Sequence, residues 1–453
     1  MNTTESKNRF DAEVLKLNDS AARKRLAMLF DNGTYTELDR FVKNNGEQCE
    51  VVTAYGEVNG MLVYSYSQSI DVNNGAMGKA QAAKIAHVYE LATKTGAPVV
   101  AIFDSNGAHV DEGAQALEAY GSLIKAAGNI SGVVPQIAVV AGVCIGSAAV
   151  LASLSDFVVI TEQAELYITP APVKNSSFAK NAAENGTACL LEADDEAAMK
   201  KVSELLSYLP SNNLSEPLFT EYVAATGDGA IGSIVDAESF FELFSDYGKC
   251  IKVGFARVGG ASVGVIATDS SVNDGYFCED GAKKAAKFVR VCDAFSVPVI
   301  TLVDSKGIKA NDETTGEDVK SVAMLTSAYS EATTAKIVVV TGNAIGGAYI
   351  AFVSSAGAPD LVYAFANSTI GVLEPMTAVQ LLYKERLAAG EDRKALENEY
   401  AVDKCSPFCA AAVGLVNDVI NPEDVSEKII SALDVLSSKR VTTLSKKHTN
   451  IPL

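Results

Sequence analysis

Apolar and polar positions alternate over 51–57 and again over 61–66. Asn59-Gly60 lies between the two runs, a pair that favours a two-residue β-turn, and the pattern predicts a hairpin. Over Gly78–Thr95 the period changes: Ala82, Ile85, Val88, Tyr89 and Leu91 fall at helical spacing. Pro98–Asp104 (PVVAIFD) is almost wholly apolar, as expected of a strand buried on both faces of a parallel sheet. The pattern continues with a loop over Asn106–Gly113, a helix over Ala114–Ile130 and a second buried strand over Gln136–Ala141. A helix then starts at Gly146, followed by a strand over Phe157–Thr161.

The same order returns through Lys252–Ala267, Gly281–Phe295, Pro298–Asp304, Val319–Glu331, Lys336–Thr341, Gly346–Ser355 and Leu361–Ala364. Residues 58–155 match residues 258–355 at a constant offset of 200, without a gap. Gly60/Gly260, Lys84/Lys284, Pro98/Pro298, Asp104/Asp304, Gly142/Gly342 and Gly146/Gly346 are among the identical pairs. A period this long means two copies of one domain rather than a solenoid. Repeated β-α-β units predict an α/β fold with mostly parallel sheets. The expected domains are 1–225 and 226–453.

Composition narrows the class. Hydrophobic residues make up 48% of the chain and charged residues 21%, enough for substantial cores in a soluble protein. The apolar run 133–152 is interrupted by Pro135, Gln136, Gly142 and Gly146, so no membrane span is expected. The polar opening Met1–Asp11 shows no signal-peptide pattern, and a cytoplasmic location follows. A net charge of −19 argues against a nucleic-acid partner. The eight cysteines are scattered without a CxxC pair and only three histidines are present, so no metal site is expected. Reduced thiols, with Cys405 and Cys409 as packing residues, are the expectation.

The chemistry belongs outside the carboxyl ends of the strands. Two such places stand out in each copy. One follows Asp104 or Asp304; the other is Gly142-Val-Cys-Ile-Gly-Ser-Ala148 or Gly342-Asn-Ala-Ile-Gly-Gly-Ala348. Small residues at a helix start let a ligand approach free backbone N–H groups, the composition of an oxyanion hole. The same glycines also suit close helix–sheet packing. No GxSxG, Walker A or HExxH motif is present, and of His87, His109 and His448 only His109 falls in a candidate loop.

These segments resemble the carboxyltransferase subunits of biotin-dependent acyl-CoA carboxylases and decarboxylases, of the propionyl-CoA carboxylase beta-chain type. Ala22-Arg-Lys-Arg-Leu…Leu29-Phe-Asp-Asn-Gly33 is similar to the family's opening ARxRxxxLLDxGSF, and Asp104–Gly113 to its DSGGARxQEG. Gly142–Phe157 follows GPCAGGAxYSPALxDF, and Ser207–Asn213 matches SYLPxNN. Val253–Arg257, Phe288–Phe295, Ile345–Tyr349 and the ending Lys446–Leu453 are further matches.

The resemblance implies two tandem crotonase-like (ClpP/crotonase spiral) domains related by internal duplication. It implies an acyl-CoA, of the propionyl/methylmalonyl type, on the first half, and carboxybiotin on the second half of a neighbouring subunit. In the family carboxybiotin releases CO2, the biotin enolate takes a proton from the thioester α-carbon, and the thioester enolate attacks CO2. Each enolate needs a backbone oxyanion hole. Carried over by motif, Gly146 and Ser147 serve the thioester oxygen, and Gly347 and Ala348 the biotin ureido oxygen. Gly107, Ala108, His109, Gly307, Ile308, Gly346 and Ile350 are the expected substrate-binding residues. Biotin arrives on a separate carrier protein, because Ala198-Met-Lys-Lys201 sits in a helical stretch and is no biotinylation site. The further partner is a biotin carboxylase or a membrane decarboxylase subunit, and the implied assembly is a homo-oligomer, a hexamer in relatives.

Several ligand loops depart from the family. Ser147 stands where a second glycine is usual, His109 where Arg is usual, and Ile350 where Asp is common. PGFxPGxxxE reads Lys306–Thr315 here, and GGAxxHxxxSGxxH reads Ser177–Cys189, without either His. Two other readings stay open: a non-catalytic assembly subunit, and a crotonase-type hydratase or isomerase, for which Glu112 is the first-half base candidate.

Overall fold

The computed structural model describes residues 3–15, 17, 19–44, 46–49, 51–169, 178–309 and 316–452. The chain divides into two compact units, Met1–Ser207 with Ser211–Asn213, and Tyr208–Pro210 with Leu214–Leu453.

Each unit is built on one eight-stranded sheet. In the first, the strand order is Tyr35–Leu38, Val51–Val58, Met61–Gln68, Val99–Ser105, Gln136–Ile145, Phe157–Thr161 and Leu190–Glu192. The first three are antiparallel and the rest run parallel. The second unit repeats the order with Phe241–Leu243, Ile251–Val258, Ala261–Thr268, Val299–Ser305, Lys336–Ile345, Leu361–Phe365 and Asp418–Ile420.

The predicted elements form for the expected reasons. All seven residues of Val99–Ser105 are buried, which is why that stretch shows no alternation. The helix Ala114–Ile130 buries Ala116, Ala119, Tyr120, Leu123, Ala127 and Ile130, one stripe at helical spacing. Met199 is buried in the helix Asp195–Leu206, whose first turn is capped by Asp194 accepting from the Ala197 amide at 2.9 Å. A biotinylation hairpin at Lys200 or Lys201 is incompatible with that helix.

Three elements differ from expectation, all next to the candidate turns. The strands expected to stop at Ala141 and Thr341 continue to Ile145 and Ile345. Their pairing slips: Phe103 faces Val140, but Ser105 faces Cys144, so the strand bends away from its neighbour. The bent end takes a new partner, Glu165–Tyr167 in the first unit and Thr369–Gly371 in the second. Glycine in a strand signals a bend as readily as an end, and only the new partner distinguishes them. The helix expected over Gly346–Ser355 is instead a π-helix over Tyr349–Val353, closed by the Ser354 amide donating to the Tyr349 carbonyl at 2.9 Å.

The repeated lysine is buried in both units. Lys84 Nζ donates to the Val51 carbonyl at 2.7 Å, and Lys284 Nζ to the Tyr247 carbonyl at 2.6 Å. Burial pushes both ammonium groups down, Lys284 from 10.5 to about 8. A depressed pKa means the unfolded chain binds more protons between those values, so the Lys284 contribution is fully present above 10.5 and fades as pH falls through about 8. Wild type should therefore gain stability relative to Lys284→Met as pH rises across that window. Parallel denaturation curves at several pH values check this; a difference independent of pH would refute it.

Candidate active site

The bend in each long strand is held by the aspartate of the neighbouring strand. Asp104 Oδ1 accepts from the Val143 amide at 3.3 Å, and Asp304 Oδ1 from the Asn343 amide at 2.7 Å. Gly142 and Gly342 make this possible, since a Cβ on either would overlap the aspartate carboxylate. Four residues on, Gly146 (φ +61°) and Gly346 (φ +51°) turn the chain in the left-handed region and hand it to a helix.

These two glycine amides are engaged. Gly146 N–H donates to the Tyr167 carbonyl at 3.0 Å and Gly346 N–H to the Gly371 carbonyl at 2.9 Å, which ties the turn to the small strand beside it. Of the amides that follow, Ser147–Ala148 open the helix Ser147–Ser153 and have no carbonyl four residues back within it, and Gly347–Ala348 lead into the π-helix Tyr349–Val353.

The loops after Asp104 and Asp304 come to the same places. Met77 N–H donates to the Gly107 carbonyl and His109 N–H to the Met77 carbonyl, each at 2.7 Å. In the second unit Phe277 N–H donates to Gly307 at 3.0 Å and Lys309 N–H to Phe277 at 2.8 Å. A Cβ on Gly107 would lie 3.7 Å from the Ile145 carbonyl oxygen, and one on Gly347 would lie 4.0 Å from the Ile308 nitrogen. Gly107, Ala108 and His109 thus gather at the Gly146 turn, and Gly307 and Ile308 at the Gly346 turn. His109 Nδ1 is buried with no hydrogen-bond partner among the described residues.

Beside the second turn a cavity of about 340 Å3 is lined largely by apolar side chains, including Tyr349, Ile350, Ile370, Val372, Cys409 and Leu415. Ile350 is 52% exposed there, so it faces open space rather than a core. Lys306, the residue that departs from the family proline, is paired with Glu374 at 3.8 Å. Residues 310–315 of that altered loop, and Ser177 at the head of the other, lie outside the described residues.

Side chains tested as bases have other tasks. Glu112 Oε2 accepts from the Lys79 amide at 2.7 Å and so caps the helix Lys79–Thr95. His87 pairs with Asp39 at 2.8 Å, and His448 is exposed in the tail. No cluster of three metal-binding side chains is found among the described residues. No helix there is long and apolar enough to cross a membrane.

One participant was not legible as such in the sequence. Arg25, part of the opening motif, is 7% exposed and reaches the back of the first turn. Its Nη1 donates to Asp104 Oδ2 at 2.8 Å, its Nε to Asp195 Oδ2 at 2.8 Å, and its Nη2 to the Ala141 carbonyl at 3.3 Å. Burial works against the charge, but the bonds to Asp195 and Asp104 outweigh it and the guanidinium pKa is raised. In the second unit Asn343 does part of this work, its side-chain amide donating to Asp304 at 2.9 Å. An arginine and an aspartate 79 residues apart carry no local signal; the one available clue was Asp104 recurring as Asp304.

Known proteins resemble this chain along nearly its whole length. The carboxyl transferase domain model matches residues 15–451. The chain is 36% identical to the methylmalonyl-CoA decarboxylase subunit alpha of Propionigenium modestum, over 95% of this chain and 93% of that one. It is 34% identical to the methylmalonyl-CoA carboxyltransferase 12S subunit of Propionibacterium freudenreichii subsp. shermanii, over 95% and 91%. It is also 34% identical to the mitochondrial propionyl-CoA carboxylase beta chain of Sus scrofa, over 95% and 88%. Among solved structures, the transcarboxylase 12S hexamer with methylmalonyl-CoA and methylmalonic acid bound superposes with a TM-score of 0.89 at 32% identity, covering 98% of this chain and 95% of that one. The duplicated α/β architecture is the crotonase-like two-domain fold that the sequence pointed to.

Proposed function

The chain belongs to the carboxyl transferase family, and as a carboxyltransferase subunit of the propionyl/methylmalonyl-CoA kind we propose that it moves a carboxyl group between biotin on a separate carrier and an acyl-CoA. The observation that carries the mechanism is the same strand-bend, glycine and helix start in both units, with the same aspartate behind each.

In the first unit, the Gly146–Ser147 turn holds the thioester oxygen as negative charge develops on it. Ser147 N–H is the donor free for this, since the Gly146 amide is tied to Tyr167. Gly107, Ala108 and His109 line the acyl side, and the unpartnered His109 Nδ1 stands where the family carries arginine. In the second unit, Gly347 and Ala348 N–H groups face the ureido oxygen of biotin, with Gly307, Ile308, Gly346 and Ile350 around it. The apolar cavity at that turn fits a small bicyclic ring. Carboxylated biotin, when delivered there, supplies CO2. Backbone N–H donors hold an enolate oxygen but take no proton, and Glu112, engaged as a helix cap, is not free to act as the base that the hydratase reading needs.

The subunit works as a homo-oligomer, a hexamer on the pattern of the 12S relative. Its carrier is matched with a biotin carboxylase or with a membrane decarboxylase subunit, placing the chain in the cytoplasm or at the edge of a membrane complex. The test supplies purified protein with free biotin or a biotinylated carrier and follows decarboxylation of methylmalonyl-CoA and malonyl-CoA. Biotin-dependent turnover of methylmalonyl-CoA is expected. A folded, oligomeric protein that turns over neither would point to the assembly-subunit reading.

A further inference from the structure

Of the eight cysteines, two meet. Cys250, immediately before the strand Ile251–Val258, and Cys278, the residue that opens the helix Glu279–Ala294, place their sulfurs 2.6 Å apart. That is within about 0.6 Å of a covalent S–S bond, so bond formation needs little movement of either segment. The contact is a built one. Gly281 leaves room for it, since a Cβ there would lie 2.6 Å from the Cys250 sulfur, and the Cys278 amide donates to that sulfur at 3.1 Å. The pair belongs to the second copy alone: Glu50 and Gly78 occupy the matching positions of the first.

The two thiols are unequal. Cys250 is 1% exposed, whereas Cys278 is partly open to solvent. The Cys278 thiol is lowered below its ordinary value, first by the hydrogen bond from Cys250 and then by the Gly281 and Asp280 amides at the helix start. The Cys250 thiol is pushed up by the same hydrogen bond and by burial.

We propose that Cys250 and Cys278 form a redox-active dithiol that hydroperoxides convert to a disulfide, with Cys278 the attacking and Cys250 the resolving residue. The Cys278 thiolate attacks a peroxide oxygen, the O–O bond breaks, and Cys278 becomes a sulfenic acid as water or an alcohol leaves. The Cys250 thiol then displaces the sulfenic hydroxyl as water. Two thiols and one hydrogen peroxide thus give one disulfide and two waters. The bond lies one residue from Phe277, whose backbone holds Gly307 and Lys309 at the second turn.

The full-length protein, treated with hydrogen peroxide under native conditions, alkylated and digested, tests this by mass spectrometry. A Cys250–Cys278 cross-linked peptide is expected, two hydrogens lighter than the reduced pair and abolished by a reductant. Cys250→Ser should leave a sulfenic acid at Cys278 that dimedone traps, and Cys278→Ser should leave Cys250 unoxidised. Wild-type protein in which both residues remain alkylatable, or in which Cys278 advances to sulfinic acid without the cross-link, would overturn the proposal. The readout is independent of carboxyltransferase activity.

Discussion

Replacing Arg25 with methionine is expected to lower the stability of the first unit by about 3–5 kcal/mol, the usual effect of removing one partner from a buried ion pair. The size follows from what stays behind. Asp104 is 3% exposed and, without Arg25, its carboxylate keeps among the described residues only the long bond from the Val143 amide. Asp195 is better placed, because its side chain is 31% exposed and water can replace the guanidinium. Arg25→Lys should lose less, since a single ammonium can still meet Asp104 but not both carboxylates and the Ala141 carbonyl. Chemical denaturation followed by hydrogen exchange over 136–145 provides the measurement. A loss below about 1 kcal/mol for the methionine variant, the range of a surface pair, would show that Asp104 is held by other means.

The second large effect falls on catalysis. Ser147→Pro should lower kcat for biotin-dependent decarboxylation roughly a hundred- to a thousandfold, the effect of deleting one oxyanion donor. Proline suits this position because Ser147 is the first residue of its helix, where the N–H has no helical partner and a fixed φ is tolerated. Gly146, which precedes it, has a non-helical backbone (φ +61°, ψ −128°), so the proline ring meets no helical residue before it. Ser147→Ala keeps the amide and removes only the hydroxyl, and should stay near wild type. If the alanine variant falls as far as the proline variant, the serine side chain rather than the backbone carries the effect. If neither falls, the first turn is not the thioester site.

Much of the fold could be read from periodicity. The helix Ala114–Ile130 and the strand Phe157–Thr161 lie where the pattern put them, because each is short-range in cause: one apolar stripe, one fully buried run. The expected end at Ala141 was wrong for a different reason. Whether a glycine ends a strand or bends it depends on a second strand twenty or so residues later, Glu165–Tyr167, which has no pattern of its own to announce it. The π-helix after Ala348 was likewise invisible, since Gly346–Ser355 reads as an ordinary apolar helix.

The sequence by itself determined the duplication, the α/β class, the family and the two small-residue turns that recur as candidate ligand sites. Those properties are written in spacing and in residues that recur at a fixed offset. Tertiary structure alone decided which amides remain free. It committed Gly146 to Tyr167, Glu112 to a helix cap and Asp104 to Arg25, and it brought Cys250 against Cys278. A hydrogen bond joins groups by distance in space, and partners 33, 79 or 28 positions apart leave no periodic trace in the chain.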